Sequence, residues 1–560
     1  MAVALVLRVL FLTADPPWNP TVGVVWHDEG AWTHNARNRA LWGQWSLDAW
    51  NPLYIAPVFT GLEFLSFSVF GVGLWQARLV SVVAGLASVL LVASGARRVA
   101  GTTAGLLAGA LVATNYVYVM YNRAALMEST MTTFIVMAWY CYVRAKERLL
   151  WGAAAGVCAL LAFFTKAAAA FFVAALAMDA LLTWWLDHRS GSGESRRTAL
   201  AVLGGLGAGG VVALAVFVGP NWADYQFYNW QMSVTRKPSY DLRSIVDRVA
   251  WFPVLHDIFT RTWPILVVAA IAALTALARW SRLHAGERLL VWWIALGALE
   301  LLVHDVGNER RFLFFIPAVA ALAGITLGGR LAMAGPELAR ISRRRAALAL
   351  PAIGFACYVL AGGIVRVFHL YEIRPNVRLA AALAVTATAV VYLCWPRLST
   401  WLSTERWTPR AAVALVALLC ASDVVQYAQW ASGRTYKNVA ASRQLGEWLP
   451  ADTLVHGKLA NGLALENRIR PIFVGRGFGN YEDRKARDDV RYILTYVTPC
   501  VGYEGPVIND VIAAYPERRV LATFDVAETP SGRDRAALIE KSGGRQPDGR
   551  PGDVVGRACD

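Results

Sequence analysis

Apolar runs of roughly 18 to 22 residues recur along the first 430 positions, each long enough to cross a hydrocarbon core of about 30 Å as a helix. In lipid every backbone donor and acceptor must be satisfied within its own segment, so helices are required there. Composition agrees. Hydrophobic residues make up 56% of the chain and charged residues 17%, with a mean hydropathy of +0.41, which does not suit a soluble surface. The formal charge of +15 is scattered through short loops and forms no single stripe, so membrane lipids of anionic character, and no nucleic acid, are the expected partners.

The spans read as 1–14, 75–96, 103–121, 128–143, 150–165, 168–186, 198–218, 262–278, 287–303, 312–329, 347–365, 379–395 and 411–427, about thirteen crossings. With the N-terminus inside, every inner loop is basic, from Arg97 and Arg98 to Arg397, Arg406 and Arg410. The positive-inside rule requires this pattern. It predicts a multi-pass protein of the plasma (inner) membrane whose polar tail lies outside. The first run is short for a span, reaching about 20 Å, and holds Arg8, which points to a start upstream of Met1. A signal peptide is the rival reading, without a basic region before the apolar run.

The predicted fold is membrane all-α over 1–427, with interfacial helices in the first outer loop. A small extracytoplasmic α/β domain follows over 428–528, and a disordered tail over 529–560. In the outer segment 14–74, amphipathic stretches around 31–42 and 58–70 carry interleaved tryptophans and suit helices lying in the interface plane. In the domain, Val439–Leu449 reads as a helix, and Leu454–His456, Ile472–Val474, Tyr492–Val497 and Val520–Phe524 read as strands. No CxxC pair exists among the 7 cysteines. Free thiols are the default, and Cys500 with Cys559 is the one candidate pair.

His27-Asp28-Glu29-Gly30 puts two carboxylates at the outer end of the first run and the start of an amphipathic helix. Taken alone, Asp28 reads first as a helix cap with Glu29 in the first turn. The surrounding order of residues adds a second reading. Asp28-Glu29 is followed by Ala36-Arg37, Gly43 with Trp45, Asn51-Pro52, Phe70-Gly71 and Ala77-Arg78-Leu79. Farther on come Tyr121-Asn122-Arg123 with Glu128, Phe163-Phe164-Thr165-Lys166, and Arg310-Arg311-Phe312-Leu313 through Pro317. This order resembles that of the polytopic C-type (GT-C) glycosyltransferases that use polyprenyl phosphate sugars, in particular the bacterial aminoarabinose lipid A transferases and the protein O-mannosyltransferases. The turn reads Trp50-Asn51-Pro52-Leu53 where the aminoarabinose transferases have Glu-Lys-Pro-Pro.

The resemblance implies transfer of a sugar from a polyprenyl (dolichyl or undecaprenyl) phosphate donor to an extracytoplasmic glycan, lipid or protein acceptor, with inversion. Displacing a phosphate from an anomeric carbon needs no acid for the leaving group, but the acceptor hydroxyl needs a base. Asp28 is the expected base, and Glu29 and Glu128 complete the acidic set. The departing phosphate needs cations in a water-poor pocket, and the candidates are Arg37, Arg123, Lys166, Arg236, Lys237, Arg310 and Arg311. Lys166 is favoured, since almost no loop surrounds it. Their competing reading is snorkelling to headgroups. His27, His256, Asp257, His304 and Asp305 form three outer His-Asp dipeptides and are the candidate ligands of a divalent metal ion. A transporter or lipid-linked glycan flippase is the alternative from another class. It should show repeated halves and charges near the midplane; no repeat is visible.

Overall fold

The computed structural model describes residues 1–17, 24–190, 194–235, 240–255, 283–304, 309–330, 350–369, 377–397, 409–474, 487–497, 511–512, 514–527 and 535–543, with isolated positions elsewhere. The helices in chain order are α1 (Ala2–Val9), α2 (His27–Trp32), α3 (His34–Trp42), α4 (Pro57–Phe70), α5 (Leu74–Ala100), α6 (Thr102–Thr114), α7 (Tyr116–Tyr121), α8 (Met127–Arg144), α9 (Leu149–Thr165), α10 (Ala170–Ser190) and α11 (Glu194–Ala213). They continue with α12 (Trp222–Thr235), α13 (Leu242–Leu255), α14 (Ala285–His304), α15 (Phe315–Ile325), α16 (Leu350–His369), α17 (Val377–Leu393), α18 (Pro409–Ser432), α19 (Lys437–Trp448) and the short α20 (Lys458–Gly462).

Among the described residues, 5 helical stretches are long and apolar enough to cross a membrane: Leu74–Ala100, Ala167–Trp185, Arg196–Val218, Arg310–Gly328 and Arg410–Trp448. Shorter apolar helices stand at Thr102–Thr114, Leu149–Thr165 and Val377–Leu393. Two expected spans differ in form. The first run is helical only over α1, roughly 12 Å at 1.5 Å per residue, and turns at Phe11, where φ is 59°. The run 103–121 is broken in two because the Asn115 side chain accepts from the Tyr118 amide at 2.9 Å and so starts α7 as a new helix. The expected span 262–278 falls largely outside the described residues.

The bundle is closed by small residues. On the chain from α15 onward, Gly324 and Gly328 lie against Ala104 and Ala108 of α6, so close that a Cβ at Gly328 would meet the Ala104 nitrogen at 2.5 Å. This is the small-xxx-small packing that lets membrane helices approach. Aromatic rings fill the wider gaps, with Phe171 on Phe314 at 4.4 Å and Phe172 edge-on to Trp293 at 5.2 Å between centroids. Deep in the bundle, Asp179 of α10 and Arg288 of α14 form a buried pair. Arg288 Nε donates to Asp179 Oδ1 at 3.0 Å, and Tyr142 of α8 donates to Oδ2 at 2.7 Å. Arg288 also donates to Thr183 Oγ1 at 2.6 Å and to the Leu283 carbonyl at 3.0 Å.

After α18 the chain forms a five-stranded sheet of order β2-β1-β3-β5-β4, with β1 (Leu454–His456), β2 (Arg470–Ile472), β3 (Tyr492–Tyr496), β4 (Arg518–Asp525) and β5 (Arg535–Lys541). β1 pairs in parallel with β2 and β3, and β5 pairs antiparallel with β3 and β4. The expectation of a disordered tail from 529 is corrected here. Ala536-Ala537-Leu538-Ile539 is buried and forms the strand between β3 and β4. Its arginine- and glycine-rich flanks dominate the local composition and hide four apolar residues. Leu494, Leu538 and Leu459 share one core with Trp26, which precedes α2.

The sheet segment is fastened to the first loop of the bundle. Asp15 accepts from the Thr435 hydroxyl and the Lys437 amide, each at 2.7 Å. Trp50 stacks on Phe473 with centroids 4.6 Å apart. Backbone meets backbone at two glycines: a Cβ on Gly30 of α2 would lie 1.8 Å from the Asn461 carbonyl oxygen of α20, and one on Gly462 would lie 2.7 Å from His27 Cα. Only glycine permits that approach.

Candidate active site

Consecutive residues on a helix point about 100° apart, and α2 uses this to send its two carboxylates to different partners. Neither caps the helix, whose N-cap is Trp26 with no side-chain hydrogen bond. Glu29 faces α5, where Arg78 grips it bidentately with Nε and Nη2 at 2.7 Å each, while the Ala125 amide donates to it at 2.8 Å. Arg78 in turn donates to the carbonyls of Leu12 and Ala14 at 2.7 Å. Asp28 faces the turn before α15, where Arg310 Nη1 donates to its Oδ2 at 2.6 Å.

Glu128, at the start of α8, joins the same cluster. Its Oε1 accepts from Lys166 Nζ at 2.6 Å and lies 3.2 Å from Arg310 Nε. Its Oε2 is buried without a hydrogen-bond partner among the described residues. Lys166 occupies the extended turn between α9 and α10, with φ −160° and ψ 123°, which aims it across the end of α8. The cations keep some access, at 21% for the Lys166 side chain and 14% for that of Arg310, whereas Glu128 is 1% exposed. Two carboxylates and two cations from four separate segments therefore balance one another at one end of the bundle. Such a cluster, with one oxygen unused and its cations reachable, can take up an added anion by rearrangement.

The other candidates are placed elsewhere. Arg37 donates to the carbonyls of Asn467 and Ile469 at 3.0 Å each and lies 5.1 Å from the Trp42 ring centre. Burial lowers this guanidinium to about 9, so it stays charged at neutral pH. Arg123 donates to the carbonyls of Leu7, Arg8 and Leu10 at 3.0, 3.1 and 2.6 Å, closing the end of α1. Arg311 donates to the His304 carbonyl. His304 is half exposed beside Glu300, and His27 is buried edge-on to Trp26. Arg236, Lys237, His256, Asp257 and Asp305 lie outside the described residues. Among the described residues no three His, Cys, Asp or Glu side chains converge as a metal set.

Two positions were not singled out from sequence as site residues. Arg78 was legible only as part of the Ala-Arg-Leu pattern, and the carboxylate it serves is what gives it a role. Glu63, in the apolar helix α4, is fully buried beside Glu29, and neither of its oxygens has a partner among the described residues. One acid in a run of apolar residues was the available signal.

The family described as dolichyl-phosphate-mannose-protein mannosyltransferase matches residues 55–217, the stretch that holds Arg78, Glu128 and Lys166. The chain resembles the GT-C glycosyltransferases of that kind. Among solved structures, ArnT from Cupriavidus metallidurans in the apo state shares 17% identity at a TM-score of 0.48, with 96% of each chain covered. The same protein bound to undecaprenyl phosphate gives 17% and 0.47. The Archaeoglobus fulgidus oligosaccharyltransferase in the apo form gives 12% and 0.42, over 89% of this chain and 68% of that one. No curated protein matches the chain.

Proposed function

We propose that the protein is a membrane glycosyltransferase that moves a sugar from a polyprenyl phosphate donor to an acceptor hydroxyl on the extracytoplasmic side, with inversion at the anomeric carbon. The observation that carries this reading is the Asp28–Arg310–Glu128–Lys166 cluster, a carboxylate base and two cations within one set of contacts. The basic inner loops put all four residues at the outer ends of their segments.

In this reaction Asp28 takes the acceptor proton as the oxygen attacks the anomeric carbon, and the bond to the phosphate breaks on the opposite face. Lys166 and Arg310 receive the negative charge that the phosphate gains, in a site with little water to screen it. Glu128 holds both cations in place. Glu29 acts through Arg78 by fixing the rotation of α2, and Arg37 keeps α3 against the sheet segment. That segment is the natural surface for selecting a glycan, lipid or protein acceptor, since it covers α2 from outside and supplies none of the four charged groups. A divalent ion would belong to this reading through His27, His256, Asp257, His304 and Asp305, of which His256, Asp257 and Asp305 lie outside the described residues.

The test is transfer by the purified protein in lipid nanodiscs with labelled polyprenyl phosphate sugars, combined with mass spectrometry of envelope glycans from a deletion strain. The reading expects an acceptor lacking one sugar and an accumulated donor. A normal glycan profile, with neither transfer nor donor hydrolysis in nanodiscs, would overturn it. Reporters fused at 191–195 and at Ala428 should report opposite compartments.

A further inference from the structure

We propose that Arg310 is exchanged between Asp28 and the phosphate during turnover, so that protonation of the base delivers this guanidinium to the leaving group. The inference rests on the transferase reading and adds to it a coupling between its two halves.

As the protein stands, the groups suited to hold a phosphate are held by protein carboxylates. Arg310 Nη1 is 2.6 Å from Asp28 Oδ2, and its Nε is 3.2 Å from Glu128 Oε1. Lys166 Nζ is 2.6 Å from that same Glu128 oxygen. Two cations crowd one oxygen, while Glu128 Oε2 is left without a hydrogen-bond partner among the described residues. Lys166 keeps its bond to Glu128 Oε1 when Arg310 swings, since the two cations are held separately on that oxygen. For Asp28 the position is different. A charge-assisted bond of this length holds the guanidinium on Asp28 for as long as the carboxylate is charged. Asp28 and an incoming phosphate are therefore rivals for one guanidinium.

The reaction itself resolves the rivalry. The acceptor O–H proton passes to Asp28 and the acceptor oxygen bonds to the anomeric carbon. The electron pair of the carbon–oxygen bond to phosphate leaves with that oxygen. Asp28 goes from charged to neutral, and the phosphate goes from a singly charged diester to a doubly charged monoester. One negative charge has moved from one rival to the other. Arg310 loses its reason to stay on Asp28 at the step in which the phosphate most needs it. The side chain lies in the turn Glu309–Phe314 ahead of α15, so a change of side-chain rotamer suffices and no helix has to move.

The experiment measures affinity for polyprenyl phosphate, without sugar or acceptor, using the full-length protein in nanodiscs. Asp28→Asn removes the rival charge and should bind this lipid about tenfold tighter than the wild type. Arg310→Gln should bind it more weakly, and adding Asp28→Asn to Arg310→Gln should gain nothing. Asp28→Ala, assayed in the same way, gives the same direction if the asparagine variant does not fold. Wild-type-like or weaker binding in the folded Asp28 variants would overturn the exchange, as would a tightening that persists without Arg310. A wild type with no affinity for polyprenyl phosphate would overturn the transferase reading itself, and that result is distinct from binding indifferent to Asp28.

Discussion

Two buried charge clusters in this bundle are built from the same chemistry and finished differently. At Asp179, both carboxylate oxygens are used, by Arg288 and Tyr142, and the guanidinium is shared further with Thr183 and the Leu283 carbonyl. At Glu128, one oxygen carries two cations and the other has no hydrogen-bond partner among the described residues. A fully satisfied network holds one geometry, whereas a partly satisfied one keeps hydrogen-bonding capacity for another partner. The first joins α8, α10 and α14. The second is where an anion can enter.

The sharpest way to break that contrast is at the base. Asp28→Asn should lower turnover by roughly two to four orders of magnitude, the usual weight of general base catalysis. Asparagine keeps the size of aspartate and one acceptor oxygen for Arg310, so a folded variant with near-normal turnover would return Asp28 to a structural role. The opposite cluster should answer in the opposite currency. Asp179→Ala should cost about 3–5 kcal/mol of stability by stranding Arg288, seen as a lower melting midpoint in detergent, with turnover per folded molecule unchanged. A drop in that turnover would merge the two clusters into one.

Lys166→Ala should raise the donor KM and lower kcat, each by about tenfold, because the contact to phosphate serves both ground and transition states. An effect on the acceptor KM alone would move Lys166 to the acceptor side. The smallest effect is expected at Glu63, a carboxyl finished in a third way. Burial, with Glu29 close by, raises it well above the usual carboxylate range. The folded state then keeps a proton that the unfolded state releases, so stability falls as pH rises through that window. Glu63→Gln removes this penalty and should raise the melting midpoint by about 2–4 °C at pH 8. The gain should vanish near the ordinary carboxyl range, about pH 4. Equal gains at both pH values would mean that the amide's own contacts, and not the carboxyl proton, stabilise the variant.

The sequence made the bundle and the Asp28, Glu128, Lys166 and Arg310 candidates legible for different reasons. Apolar runs report the solvent around a helix, and the order of short motifs reports the ends of those helices. Neither signal contains the direction of a side chain. Arg37 and Arg123 looked equivalent to Arg310 on paper, but they close off backbone carbonyls of Asn467, Ile469, Leu7 and Leu10. Those partners lie far from the arginines in sequence. β5 was lost to composition, since Arg535 and the charged residues around it outweigh four apolar positions in any averaging window.

The backing of α2 by α20 has a consequence for how the protein is made. The helix carrying Asp28 rests on Gly462, and α20 belongs to a core that includes Leu538 of β5. β5 supplies the pairing edge for both β3 and β4. At about 5–20 residues per second, the ribosome reaches residue 541 roughly half a minute to two minutes after residue 28. Throughout that interval the nascent chain can thread its helices into the bilayer while α2 lacks its support. The helix that carries Asp28 therefore gains its packing partner only after the last of the five described strands has been made.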